Sequence, residues 1–236
     1  MRRDFTRRNE RSVRAVPRIA SITLVLALAV HIGWHALSPK PQARGAALPA
    51  PVDAAWLRVV SLGEPIVIAQ LLVLYLQAFD NQPGLSIPYR ELDYLAVRGW
   101  LKASLELDPR SQYPLMMASH LYAQVPDDHK VRLMLEFVHE EFRRDPDARW
   151  RWLAHAAILA KHRLKDLPLA LRYAEDITKH ASTALSWARQ MRIFILEDMG
   201  EAQAAAVLLG GLLVSGEVTD PAEVRFLTER MQTLKK

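Results

Sequence analysis

One long, uncharged and largely apolar run lies near the beginning of the chain, over residues 19–37. At a rise of 1.5 Å per residue it makes a helix roughly 28 Å long, close to the roughly 30 Å hydrocarbon thickness of a bilayer. Trp34, near the far end of the run, belongs to a residue type that favours the membrane–water interface. The pattern therefore predicts one transmembrane helix or signal anchor over residues 19–37.

A second apolar run, residues 65–79 (PIVIAQLLVLYLQAF), shows no continuous polar face. It is shorter than the roughly 20 residues that a membrane-spanning helix needs, and Gln70 and Gln77 interrupt it. We interpret it as a buried helix of a soluble domain that begins at Pro65, since proline fits the first turn of a helix. The alternative, a second span, would return the rest of the chain to the side of the membrane on which it began.

From residue 91 onward, apolar positions recur every three or four residues, which is typical of helices that bury one face. The chain has only 9 glycines and few alternating β-branched positions, so strands are not predicted. The fold class is therefore all-α, built from helical hairpins. The predicted helices cover residues 91–107, 112–124, 127–144, 149–162, 167–180, 184–199, 201–213 and 221–234, the last of which closes the array.

Asp-Pro pairs mark the joints between these hairpins. They occur at 108–109, 145–146 and 220–221, at intervals of 37 and then 75 residues, which is about twice 37. Aspartate is a favourable N-cap, and proline is tolerated at the first helical position but does not continue a preceding helix. The spacing therefore indicates an internal repeat of about 37 residues.

Several positions around these joints resemble the tetratricopeptide repeat, a family of helical-hairpin proteins. The segment 100–109 (WLKASLELDP) looks like the second helix of such a repeat and its end. The resemblance covers roughly residues 91–215, with a period near 37 in place of 34 and Met134 where a small residue is usual. It implies a right-handed helical-hairpin solenoid behind the transmembrane helix. Further matching positions are Leu115, Ala118, Ser119 and Tyr122 in one first helix, Trp152, Ala156 and Leu159 in the next, and Gly200 and Ala205 in the last hairpin.

In this family, the first helix of each hairpin faces a concave groove that binds peptides and proteins. Aromatic and Met side chains supply adaptable contact area for such binding. The alternative is that several of these side chains pack between neighbouring hairpins. The positions that the resemblance implies for the groove are Tyr113, Met116 and His120 from one hairpin, and Trp150, Leu153 and Lys161 from the next.

Positive charge is concentrated at the N-terminus. The first 18 residues hold seven arginines and two acidic residues, whereas the rest of the chain balances 24 Lys and Arg with 24 Asp and Glu. Arginines resist translocation, so residues 1–18 should stay in the cytoplasm, and in a bacterium the chain beyond the span should lie in the periplasm. A neutral domain lacks the basic surface that nucleic-acid binding requires, although residues 149–152 read RWRW.

The N-terminal segment with the apolar run 19–37 has two possible roles other than that of a retained anchor. Small residues at 43–45 and 45–47 offer weak cleavage sites for a signal peptide, and residues 2–7 (RRDFTR) resemble the twin-arginine export motif. All three routes carry the following chain across the membrane. Four prolines within residues 38–52 predict an extended linker, which leaves residues 53–236 as the helical domain.

Few residues point to catalysis. The chain has no cysteine, which excludes disulfides and thiol nucleophiles, and its histidines lack ligand spacing, so neither metal nor cofactor is predicted. We therefore expect a protein-interaction module or scaffold of the bacterial inner membrane without catalytic activity. An enzyme, the first alternative, would use His155, His162 and Asp166. The second alternative, a structural subunit of a membrane complex, would bury an apolar patch at residues 54–79 against its neighbours.

Overall fold

The computed structural model describes residues 17–38, 45–82, 84–216 and 218–234. Within these ranges the chain forms eleven α-helices and a small antiparallel hairpin of two strands, β1 (Asn81–Gln82) and β2 (Leu85–Ser86). The predicted all-α class is therefore confirmed, with one short hairpin added. The helices are α1 (Arg18–Leu37), α2 (Ala54–Val60), α3 (Pro65–Ala78), α4 (Tyr94–Leu107), α5 (Tyr113–Met116), α6 (Asp128–Phe142), α7 (Pro146–His162), α8 (Leu167–His180), α9 (Ser186–Asp198), α10 (Ala202–Ser215) and α11 (Pro221–Leu234).

The chain divides into two compact units, residues 1–43 and 44–236. In the first unit, α1 exposes every one of its residues at least in part. With 20 residues of mainly apolar character, it is long and apolar enough to cross a membrane. Several features of the sequence lie wholly or partly outside the described residues. They are the twin-arginine motif, most of the basic segment, part of the linker and part of the first cleavage site.

In the second unit, most helices pack against the helices that precede and follow them in the chain. Helix α3 pairs with α4, α7 with α8, and α9 with α10, while α11 packs on α10. The helix predicted over residues 112–124 is present but irregular, because α5 continues into a π-helical turn, Met117–Leu121, and a 3-10 turn, Tyr122–Gln124. These turns pack against α6, so the predicted hairpin order is confirmed.

Hydrogen bonds join positions about one hairpin apart. Three of these bonds join partners that are 35, 38 and 37 residues apart, close to the 37-residue interval read from the sequence. Corresponding positions of neighbouring hairpins therefore contact each other, as expected of a repeat-like architecture. Examples are Ser182 Oγ donating to Asp147 Oδ1 at 3.1 Å, Arg163 Nη2 to the Val125 carbonyl at 2.6 Å, and Ser186 Oγ to Glu223 Oε1 at 2.8 Å.

Aspartates begin several helices, as the Asp-Pro pairs predict. The Asp145 carboxylate accepts a hydrogen bond from the Ala148 amide at 3.2 Å, and Asp220 accepts one from the Ala222 amide at 2.8 Å. Asp108 differs, because it ends α4 and accepts from the Arg110 amide within a turn. The same dipeptide thus opens α7 and α11 but closes α4.

Helix α3 is buried on one side only. Its residues Ala69, Leu72, Val73 and Leu76 are buried, and α3 packs on α4 within the second unit. Its opposite side is exposed, so the prediction of a buried helix holds for one side of α3 and is wrong for the other. Helices α2 and α3 meet at an angle of 118°, and together they do not form a straight span.

An ion pair is buried in the core of the second unit. Arg149 at the start of α7 and Glu141 near the end of α6 are 3% and 2% exposed. Arg149 Nη1 donates to the Glu141 carbonyl at 2.7 Å and to Glu141 Oε2 at 2.9 Å, while Nη2 donates to the Pro109 carbonyl at 2.9 Å. One guanidinium therefore links the turn after α4 to the joint between α6 and α7.

Candidate functional site

The predicted binding residues of the first hairpin remain accessible. Tyr113 is exposed and its hydroxyl accepts a hydrogen bond from Gln77 Nε2 of α3. Met116 is half-buried, and His120, on the π-helical turn, is exposed. These three side chains therefore lie where a partner can reach at least part of each of them.

Two predicted binding residues of the next hairpin lie in the core. Leu153 is fully buried and Trp150 is 4% exposed, with its ring meeting that of Trp187 edge-on at a centroid distance of 5.7 Å. The reason is that α6, α8, α9 and the π-helical turn all contact α7, which leaves it little free surface. The groove assignment is thus wrong for Trp150 and Leu153, and they pack between hairpins, the alternative that the sequence left open.

Lys161, the sixth predicted residue, lies near the end of α7 and is partly exposed. Its ammonium group forms an ion pair with the Asp198 carboxylate at the end of α9. This pair joins the first helices of two successive hairpins. Lys161 therefore bridges α7 and α9 at the edge of a cleft between them.

An aromatic cluster connects the first helices of two hairpins around His120. The rings of His120 and His155 stack with centroids 3.8 Å apart and planes 15° apart, and Trp152 meets His120 edge-on at 5.7 Å. Trp152 Nε1 donates to Gln112 Oε1 at 2.6 Å, which fixes the indole. Burial lowers the pKa of His155 below its ordinary value of 6.5, and the neighbouring His120 lowers this pKa further. A hydrogen bond with the Ser119 backbone acts in the opposite direction.

This lowered pKa predicts that the domain loses stability in mild acid. Below pH 6.5 the unfolded chain takes up a proton at His155 that the folded chain takes up only at lower pH, so the free energy of unfolding falls. We expect His155→Phe, which keeps an aromatic ring against His120, to reduce the loss measured by urea unfolding between about pH 7.5 and about pH 5.5.

The matched control is His162→Phe, because His162 lies on the same helix but is exposed. It shows how much a histidine-to-phenylalanine substitution on α7 changes the measured stability by itself. An identical pH dependence in His155→Phe and in the wild type would contradict the assignment of the proton to His155.

The residues of the enzyme alternative do not converge. Asp166 accepts from the Leu169 amide at the start of α8 and forms an ion pair with Arg132 at 2.8 Å, and its pKa is lowered first by the Leu169 amide. His155 stacks on His120, and His162 borders a different cleft from the one that Asp166 borders. Among the described residues, no three His, Asp or Glu side chains are grouped to hold a metal ion.

A cleft of about 210 Å³ lies between α7 and α9, the first helices of two successive hairpins. Ile158 and Trp187 on its sides are 40% and 48% exposed, and Met191 and Phe194 are partly exposed. Lys161 lies at the same cleft with its charge paired to Asp198. The cleft is therefore an apolar, aromatic surface with an ion pair at its edge.

The sequence places three of the cleft residues on one helix face, but their spacing does not show whether that face is exposed or buried. Trp187, Met191 and Phe194 lie four and three residues apart, which places them on one face of α9. The same spacing describes a buried face equally well. Only the partial exposure of these three side chains distinguishes a binding surface from the core.

Searches of protein-family models, curated proteins and solved structures found no match for this chain.

Proposed function

We propose that this protein is a membrane-anchored module that binds another protein or a peptide and does not catalyse a reaction. In this proposal α1 is a retained anchor in the bacterial inner membrane. The arginine-rich segment stays in the cytoplasm because cations resist translocation. The helical domain then lies in the periplasm as a right-handed, tetratricopeptide-like solenoid, at high effective concentration near the membrane surface.

The cleft between α7 and α9 is the observation that carries the proposal. Trp187 is about half exposed although tryptophan is usually well buried, and it lies beside Ile158, Met191 and Phe194. Aromatic and Met side chains are enriched in protein interfaces, and central aromatic residues contribute most of the binding energy. Tyr113, Met116 and His120 offer further contacts on the preceding hairpin.

A second candidate function is that of a structural subunit in a membrane complex. The observation in its favour is the exposed apolar side of α2 and α3, the region that such a subunit would bury. If this surface were covered by another protein rather than by lipid, the second function would be favoured.

A crosslinking experiment tests the binding surface and its location together. Because the chain has no cysteine, Ile158→Cys creates a unique attachment point beside Trp187. A photoreactive maleimide that does not cross the inner membrane is applied to spheroplasts that express the full-length protein. We expect labelling at position 158 and a reproducible covalent adduct with one partner, and adding Trp187→Ala should reduce the adduct by about tenfold without changing the labelling.

The matched control is Val207→Cys, because Val207 is exposed on α10, away from the cleft. It should be labelled equally but form no adduct. Absence of labelling at both positions would contradict the periplasmic location. Labelling without adducts at position 158, or equal adducts at both positions, would contradict the proposed binding surface.

A further inference from the structure

An apolar surface covers the outer side of α2, the turn after it and α3. We call it the α2–α3 face. Leu62, in the turn, is 93% exposed, and the other side chains of the face are between 50% and 72% exposed. The face contains Trp56, Val59, Leu62, Val67, Leu71 and Leu74.

Charge is nearly absent from this region. Residues 54–78 contain a single cation, Arg58, and a single anion, Glu64. Arg58 Nη2 donates to the Glu106 carbonyl of α4 at 2.6 Å, so this cation is directed toward the domain. A helix face exposed to water in a soluble domain normally carries polar and charged residues. The α2–α3 face is therefore suited to an apolar environment.

Leu62 combines an unfavourable backbone conformation with an exposed apolar side chain. Its backbone has φ of +51°, a conformation that glycine or asparagine adopts at lower free-energy cost. Its side chain is almost completely exposed, so the strain gains nothing from core burial. Leu62 therefore adds an unburied aliphatic side chain to the α2–α3 face at a position where packing within the domain does not require one.

The short connection to α1 limits how far this part of the domain can lie from a membrane that α1 spans. The Ala46 amide donates to Gln82 Oε1 at 2.8 Å and Trp100 Nε1 donates to the Pro49 carbonyl at 2.8 Å, so the chain is bonded to the helical domain from residue 46. Seven residues separate Ser38, just after α1, from Ala46. Even fully extended, this connection reaches roughly 28 Å. If α1 spans a membrane, residues 46–49 and the hairpin bonded to them cannot move far from its surface.

We propose that the α2–α3 face lies on the lipid bilayer that α1 spans, with Trp56 and its aliphatic neighbours among the headgroups and upper acyl chains. Tryptophan favours this depth, and helices with an apolar face bind in the plane of the membrane interface. The covalent connection raises the effective concentration of the face at the bilayer, so a weak intrinsic affinity suffices. This inference rests on α1 being retained as the anchor, and it makes lipid, rather than a second protein copy, the occupant of the face.

Lipid quenching of single labels tests the proposal. Separate variants of the full-length chain carry Leu62→Cys, Leu71→Cys, Leu26→Cys in the middle of α1, or Val207→Cys on α10. Each variant is labelled with the environment-sensitive fluorophore NBD. The proteins are reconstituted into vesicles of phosphatidylethanolamine and phosphatidylglycerol, with or without phosphatidylcholine bearing a nitroxide on its acyl chain. We expect labels at 62, 71 and 26 to shift to shorter wavelength and to lose most of their fluorescence to the nitroxide, while the label at 207 does neither.

The label at position 26 separates failure of this inference from failure of the anchor. Quenching at 26 without quenching at 62 and 71 would overturn bilayer contact while leaving α1 in the membrane. Absence of quenching at 26 would remove the anchor and the inference with it. A shift at 62 and 71 that grows with the protein-to-lipid ratio, without nitroxide quenching, would overturn the inference in favour of a second copy of the chain. Circular dichroism of each variant establishes that the helices are retained.

Discussion

Replacing Arg149 with alanine should lower the free energy of unfolding by about 3–5 kcal/mol, because it leaves the buried Glu141 carboxylate without its charge partner. The substitution also removes the donor to the Pro109 carbonyl, 40 residues away, so the turn after α4 loses its link to α7. Arg144, which also pairs with Glu141, is half exposed and provides less compensation. Urea unfolding of the full-length protein in detergent, followed by circular dichroism near pH 7, measures the loss.

Two further variants distinguish the buried pair from an ordinary surface pair. Arg98→Ala removes a guanidinium whose partner, Glu140, is exposed, and it should cost about 1 kcal/mol or less. The double variant Arg149→Met with Glu141→Leu should recover much of the stability lost in Arg149→Ala, because apolar residues of similar volume often replace a buried ion pair without penalty. Equal losses in Arg149→Ala and Arg98→Ala would contradict the role assigned to the buried pair.

The positions of the helices along the chain could be predicted from the sequence, because capping residues and prolines determine where each helix begins and ends. The interval predicted for α8, residues 167–180, matches the observed helix, and Asp166 caps its start. Helix α7 begins at Pro146, three residues before the predicted start, because Asp145 caps it and proline is tolerated in its first turn. Interactions within one helical turn are enough to fix these ends. The residues that make these interactions are close together in the sequence, so the ends can be predicted from it.

The environment of each helix face could not be predicted in the same way. Arg149 appeared as one cation in an RWRW sequence, yet it is buried because a carbonyl 40 residues earlier and Glu141 surround its guanidinium. Trp150 and Leu153 have the spacing of a groove-facing helix, but α7 is contacted on several sides. Spacing shows which residues share a face, and only the tertiary structure shows whether that face meets solvent or another helix.

Helix α3 shows the same limit in the opposite direction. An apolar run without a polar face predicts burial on all sides, and the structure buries only the side that packs on α4. Hydrophobicity therefore indicated that α3 is apolar but not how much of its surface the domain buries. The π-helical turn at Met117–Leu121 was also not visible in the sequence, since a single turn of five residues is too short to set a residue spacing of its own.

Phe137→Ala should lower the free energy of unfolding by about 3–5 kcal/mol, because Phe137 is fully buried in α6 and its removal leaves a cavity. Helix α6 contacts α4, α7 and the turns at residues 117–124, so the damage should spread to these neighbours. The loss is measured by urea unfolding, and hydrogen exchange locates it. Amide protection should fall in α4, α6 and α7.

Phe226 provides the matched control, because it is the same residue type but is 54% exposed on α11. Phe226→Ala should cost about 1 kcal/mol or less, mainly from its ring contact with Phe194. Helix α11 packs into a separate small cluster around Leu209 and Leu227, so protection in α6 should not change in this variant. If each hairpin is stabilised mainly by its neighbours, a substitution in the central helix α6 should reduce amide protection in more helices than one in the terminal helix α11. If both substitutions reduced protection evenly along the whole domain, the hairpins would unfold as one cooperative unit, and the stability of the domain could not be treated as a sum over neighbouring pairs.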